Sequence, residues 1–294
     1  MTATAFAPGH VSGLFAVHDE AADPLAKGSR GAGWSVDAGA TATVRRAERA
    51  SVRVAGQPTD LPVTEAALGR LAPGVPLAVD LAFGLPIGQG FGMSAAGTLA
   101  ACLAAASELG LEPEAALAAT HAAEVASGTG LGDAIGSWNG SGEVRIKPGI
   151  PPHGWAMRID PPAGVRMLYL VAGPGIATPR IIRDADWKER TRELADPAVD
   201  RIVAAGRPMA WDAMLRESQA FTLQLGLLPP TLEDLADALP KDILWGQSML
   251  GTTLWVAGRE PALARARAVL EGHGKLVELG FDPNGARLVR AGAI

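Results

Sequence analysis

Cysteine is nearly missing: the chain has one in 294 residues, Cys102, set in the alanine-rich stretch LAACLAAA. A single thiol excludes an internal disulfide, and these surroundings read as core packing rather than as a nucleophile, which fits a reducing, cytoplasmic setting. Charge is sparse as well, with 19% charged residues, a net charge of −5 and no block of like sign. The electrostatic footprint of a nucleic-acid or anionic-membrane binder is therefore lacking, and small molecules are the favoured partners. The start has no basic region before Pro8-Gly9, so it does not read as a secretory leader. The stretch Leu85 to Ser107, within the longest uncharged run (Leu81 to Ser107), is interrupted by Pro86 and several glycines. It reads as a loop followed by a buried helix, not as a membrane span.

Several chemical signatures are absent too. The sequence contains no G-x-x-x-x-G-K-[ST] and no complete G-x-G-x-x-G after a strand, which removes the main support for P-loop and dinucleotide folds. The stretch HAAEV at His121 to Val125 matches neither H-E-x-x-H nor H-x-x-E-H, and the five histidines form no ligand cluster.

What is present suits a globular α+β protein of one large or two moderate domains, with 48% hydrophobic residues to build a core. TAFAPGHVSGLFAVH reads as strand, turn, strand; GWSVDAGATATVRRA, SVRVAG and PLAVDLAF read as further strands. Alanine and leucine predict a helix over Ser94 to Leu109, and a second runs from Pro113 to Ser127 with Gly128 as its stop. PGIPPHGW marks the approach to a domain boundary. VRMLYLVAG is then a strand, and polar helices are predicted over Asp184–Leu194, Ala198–Ala205 and Pro208–Leu225. The C-terminal part reads strand, helix, strand, strand, which suggests a sheet covered by helices on one face.

Chemistry concentrates in PIGQGFGMSAAG, residues 86–97. Gly88, Gly90 and Gly92 let backbone N–H groups approach a ligand, and the helix starting near Ser94 adds its positive dipole end, a combination suited to a phosphate chain. Packing of a strand against a helix is the structural alternative. Phosphate chemistry further needs a carboxylate for magnesium and an acceptor for a hydroxyl proton. THAAEVASGTGLGDAIG supplies Glu124 near a helix C-terminus and Asp133 in a glycine-rich loop, with His121 on the same helix face as Glu124. Taken singly, these also suit a solvated charge, a loop cap and a buried histidine.

The loop resembles that of the GHMP kinases, P-x-x-x-G-[LF]-G-x-S-[AS]-A: Pro86-Ile-Gly-Gln-Gly-Phe-Gly-Met-Ser-Ala-Ala96 satisfies every fixed position. APGHVSGLF resembles that family's first motif and GQSMLGTTLWV its late one, so the likeness spans nearly the whole chain. GFGMSAAG, GSRGAGW, SGTGLGDAIG and the SMLG form are similar to the archaeal pantoate kinase family. The resemblance implies an N-terminal α+β domain with a left-handed β-α-β unit over residues 1–160. It also implies a C-terminal ferredoxin-like α/β sandwich over 161–294, with ATP between the two. The implied activity is ATP-dependent phosphorylation of the 4-hydroxyl of pantoate for coenzyme A synthesis. Other GHMP kinases, an ATP-dependent decarboxylase and a non-catalytic sensor on the same fold are the competitors. Carried over by position, Pro86, Gly88, Gly90, Phe91, Gly92, Met93, Ser94, Ala95 and Ala96 form the ATP loop. By the same carry-over Ser94 and Glu124 would hold Mg²⁺, and Asp133 would orient or deprotonate the hydroxyl. The family pattern points to Ser29, His121, Arg145 and Thr178 for substrate. Arg145 suits a carboxylate through paired hydrogen bonds, although a surface arginine on an edge strand is the plain alternative. Dimers are common in the superfamily, and a homodimer stays open. Two departures stand out: His10 follows the first Pro-Gly where many relatives carry Lys or Arg, and Gln247, Ser248, Met249 and Leu250 replace most glycines of the late motif.

Overall fold

Two long strands open the chain, β1 (Thr2–His18) and β2 (Gly28–Arg46), paired antiparallel along nearly their whole lengths. The structure, a computed structural model, describes residues 2–174 and 182–290. Pro8-Gly9 does not turn the chain between two strands, as its composition suggests. Register shifts at Pro8/His10 and Ser12/Leu14 absorb the irregularity as bulges, and β1 continues because β2 pairs with it on both sides.

The next elements are β3 (Ser51–Val54), β4 (Gln57–Pro58), α1 (Pro62–Leu71) and β5 (Leu77–Phe83). β3 and β5 run parallel, so α1 serves as the crossover of a β-α-β unit. Helices α2 (Met93–Leu109), α3 (Pro113–Ser127) and α4 (Asp133–Asn139) follow, then β6 (Gly142–Lys147) and β7 (Trp155–Ile159). The first two lie where composition placed them. Pro113 opens α3, and Gly128, at φ +67°, closes it in the left-handed conformation. Asp133, however, is the first residue of α4 rather than a loop residue. Alanine dominates α2 on every face, and from Ala95 to Ala106 the helix is fully buried under the first sheet.

The second half contains β8 (Arg166–Val171), α5 (Ala185–Ala205), α6 (Ala210–Leu225), α7 (Pro230–Ala238), β9 (Leu244–Gln247), β10 (Thr253–Gly258), α8 (Glu260–Leu270), β11 (Lys275–Leu279) and β12 (Arg287–Val289). α5 is one helix with Pro197 inside it, where sequence suggested two. Ala195, Ala198, Val199 and Ile202 are buried on one face across the proline. That continuous packing outweighs the single backbone hydrogen bond Pro197 cannot donate.

Two sheets result. The larger has eight strands, in order β12-β1-β2-β5-β3-β4, with β6 on β2 and β7 on β6. The smaller is antiparallel, in order β11-β8-β10-β9, with α5–α7 between its first two strands in sequence and α8 between its last two. That is the ferredoxin-like order. Trp34 of β2 joins the sheets: its ring lies 5.2 Å from Trp255 of β10, and its Nε1–H donates to the Tyr169 hydroxyl of β8 at 2.7 Å. No helix among the described residues is long and apolar enough to cross a membrane.

Candidate active site

The turn from β5 into α2 builds one wall of a cavity of about 330 Å³. Gly92, at φ +60°, caps α2 in a conformation that disfavours any side chain, and its absent Cβ would fall 2.8 Å from the His10 carbonyl. No side chain caps α2, and its first turn carries no acidic residue. Its leading N–H groups and dipole thus remain available to an anion. Gly88, Gly90, Gly92, Met93 and Ser94 line the cavity. Pro86 is half-buried, while Phe91, Ala95 and Ala96 pack inward, the Phe91 ring 5.1 Å from Tyr169.

The acidic groups face this wall. Ser94 Oγ–H donates to Glu124 Oε1 at 2.8 Å, and Thr129 Oγ1–H and Gly130 N–H both donate to Oε2 at 2.5 Å. Burial pushes the Glu124 carboxyl above the usual carboxylate range, against those three hydrogen bonds. A fully buried carboxylate held by neutral donors, with a hydroxyl beside it, is a fitting oxygen pair for a hard divalent cation. Asp133 reaches the same cavity from the start of α4, its side chain 21% exposed. The loop at 128–132 folds it back toward Glu124: a Cβ on Gly130 would lie 2.8 Å from Glu124 Oε2 and 3.0 Å from Asp133 Oδ2.

Ser12 and Ser29 line the opposite side, with Arg145 behind them. Arg145 donates to Ser29 Oγ at 3.1 Å and to Ser12 Oγ at 3.2 Å, and ion-pairs with Glu143. It is buried on β6, which pairs with both β2 and β7, so it is not an edge-strand surface residue. A Cβ at cavity-lining Gly132 would fall 2.5 Å from Arg145 Nε and 2.6 Å from Ser29 Oγ. Glycine there brings the wall against both groups. His121 is fully buried behind the wall, its Nε2–H donating to the Lys27 carbonyl at 2.8 Å, and burial lowers its pKa. It thereby fixes the segment that delivers Ser29. Thr178 lies outside the described residues. Phe15, Ile182, Met249 and Leu250 supply an apolar face. Met249 N–H donates to the Ser12 carbonyl at 3.0 Å, pinning the late motif onto β1.

Sequence reasoning passed over Ser12, Phe15, Thr129, Ile182 and Glu143 as site residues. Glu143 alone left a signal, standing two residues before Arg145 and hence on the same face of a strand.

A glycine-rich turn opening a helix, a buried hydroxyl–carboxylate pair and a second carboxylate, on this pair of sheets, define a GHMP-type kinase. No family model matches the chain. The pantoate kinase of Thermococcus kodakarensis is 31% identical over 92% of this chain and 92% of its own. That of Methanospirillum hungatei is 28% identical over 97% and 96%. A solved phosphotransferase related to the CoA biosynthesis pathway superposes with a TM-score of 0.88, at 26% identity and full coverage of both chains. Mevalonate-3-kinase of Thermoplasma acidophilum, 14% identical with 98% of each chain covered, shares the fold at a TM-score of 0.72. The chain belongs to the pantoate kinase family.

Proposed function

We propose that the chain uses ATP and Mg²⁺ to phosphorylate the 4-hydroxyl of pantoate, giving 4-phosphopantoate for coenzyme A synthesis. The observation that carries this reading is one cavity onto which the uncapped glycine turn, the Ser94–Glu124 pair, Asp133 and Ser29 converge, with Arg145 directly behind Ser29. Phosphoryl transfer asks for alignment and charge neutralisation more than for covalent chemistry.

The backbone of the loop at 88–94 cradles the phosphates. Ser94 and Glu124 hold the cation, which when bound neutralises phosphate charge. Asp133 orients the attacking hydroxyl and accepts its proton. Ser29 and Arg145 receive the substrate carboxylate, Arg145 as the cation of that pair. Pantoate also carries two methyl groups on one carbon, and Phe15, Ile182 and Leu250 give them an apolar surface at the same cavity. His121 acts through the Lys27 carbonyl, by holding Ser29 in place.

The test is ATP consumption with pantoate, mevalonate, homoserine and shikimate, with and without Mg²⁺, for the parent chain and Asp133→Ala. Pantoate should turn over fastest, Mg²⁺ should be required, and Asp133→Ala should lose at least about 100-fold in kcat. Faster turnover of another alcohol would refute the substrate, and full turnover by Asp133→Ala would refute the assigned acceptor.

A further inference from the structure

The residue after the first Pro-Gly has an arrangement that the proposed reaction does not by itself require. His10 is fully buried and lies between two carboxylates. Its Nδ1 is 2.9 Å from Asp133 Oδ1 and its Nε2 is 3.1 Å from Glu143 Oε1. The same Glu143 oxygen accepts from Arg145, so Glu143 is also the ion-pair partner of a guanidinium. A neutral imidazole has one N–H and can donate to one carboxylate, so its other nitrogen would face a carboxylate oxygen lone pair to lone pair. Only the doubly protonated ring donates to both.

We propose that His10 is a fixed imidazolium and the positioning residue for Asp133, linking the catalytic carboxylate at the cavity to the substrate-side guanidinium through the alternating chain Asp133–His10–Glu143–Arg145. The proposal rests on the reading of Asp133 as the group that takes the hydroxyl proton.

The surroundings are built for the ring. Gly33 of β2 and Gly136 of α4 flank it, and a Cβ on either would fall 2.8 Å or 2.4 Å from its Nε2. The charged neighbours are Asp133 from α4 and Glu143 and Arg145 from β6; β2 contributes Gly33, and the loop before α2 contributes the Phe91 carbonyl. Burial opposes the imidazolium, but the hydrogen bonds to Asp133 and Glu143 outweigh it, so the pKa of His10 lies above the ordinary histidine value. The backbone of the same residue holds the phosphate loop, His10 N–H donating to the Phe91 carbonyl at 2.9 Å. One residue therefore sets where Asp133 stands relative to the loop. No proton needs to travel along the chain: the hydroxyl proton stops at Asp133, and His10 fixes the carboxylate that receives it.

Two measurements test this. In the parent protein, ¹⁵N spectra of labelled histidine should show both His10 ring nitrogens protonated at neutral pH, and deprotonation only in alkali. His10→Asn keeps a donor toward Asp133 without a charge. It should retain KM for both substrates within about threefold and lose about 100-fold in kcat, the cost of a misplaced catalytic group. The parent should show an alkaline fall in kcat as His10 loses its proton, and His10→Asn should lack it. A neutral His10 at pH 7, a parental kcat in His10→Asn, or an unchanged alkaline limb would overturn the proposal. Asp133→Asn separates the two layers. If that variant is inactive while His10→Asn works normally, the role of His10 alone is wrong. If Asp133→Asn turns over normally, the assignment of Asp133 fails and the positioning role falls with it. The spectrum needs no variant, so it decides the charge state even if His10→Asn does not fold.

Discussion

Gly136→Ala should destabilise the protein and slow it, although the same change in most helices does the reverse. Gly136 lies inside α4, one turn after Asp133. At an exposed interior helix position alanine is favoured over glycine by about 1 kcal/mol. Here the new Cβ would stand 2.3 Å from His10 Cδ2 and 2.4 Å from Nε2. Ordinary contact begins about 1 Å further out, so the ring or the helix must shift by that much. The ring is held at 2.9 Å on one side and 3.1 Å on the other, with no slack along either hydrogen bond. Overpacking of this kind costs about 1–3 kcal/mol, and weakening a hydrogen bond to a charged group costs about 1.5–3 kcal/mol more. Set against the helix-propensity gain, the net loss is about 1.5–5 kcal/mol, or about 2–8 °C in Tm at this chain length. Moving His10 by about 1 Å also displaces Asp133, with an expected loss of about 100-fold in kcat. The comparison is Gly69→Ala in α1, where a Cβ meets nothing within 4 Å. That variant should gain about 0.5–1 kcal/mol and keep its activity. Thermal unfolding and steady-state ATP consumption on both variants make the measurement. If Gly136→Ala raises Tm as Gly69→Ala does, or turns over at the parental rate, the enclosed geometry of His10 is wrong.

Two further expectations concern the apolar wall and the core. The parent should prefer pantoate over 2,4-dihydroxybutanoate, which lacks the two methyl groups, by more than about 10-fold in kcat/KM, and Phe15→Ala should shrink that ratio severalfold. An unchanged ratio would show that Phe15 does not contact the methyls; a ratio is read because it is insensitive to partial loss of folded protein. Cys102 is fully buried and its thiol is pushed up to about 12 by that burial. A thiol reagent at pH 8 should therefore leave the folded protein unlabelled and modify one group after denaturation. Rapid labelling under native conditions would place α2 outside the core.

Much of the fold was legible where local chemistry decides it. The alanine run forces α2, while Pro113 and Gly128 bracket α3 because each has a backbone preference that needs no partner. What failed needed a partner. β1 looked broken at Pro8-Gly9 because a turn and a bulge have the same local composition, and only pairing to β2 on both sides tells them apart. α5 looked split at Pro197 because the buried face that spans it is defined by β1, β2 and α6 packed against it. Short elements such as α7 and β9 carry too few residues for periodicity to register.

The active-site chemistry divides along the same line. The proposed phosphate loop is contiguous, so its glycines and Ser94 can be recognised as a string. Glu124 and Asp133 are separated by a single short loop, and their pairing is nearly as local. Arg145 could be named for its chemistry, but its burial beneath Ser12 and Ser29 depends on β6 lying against β2. His10 is the extreme case, since its two contacts span 123 and 133 residues. From sequence, His10 stands out only as a departure from the Lys or Arg that many relatives carry there. The fold supplies what that departure leaves out: a buried imidazole keeps a proton on both nitrogens only where each meets an acceptor. Asp133 and Glu143 are those acceptors, and in the proposed arrangement their carboxylates, not the residue type at position 10, make the position cationic.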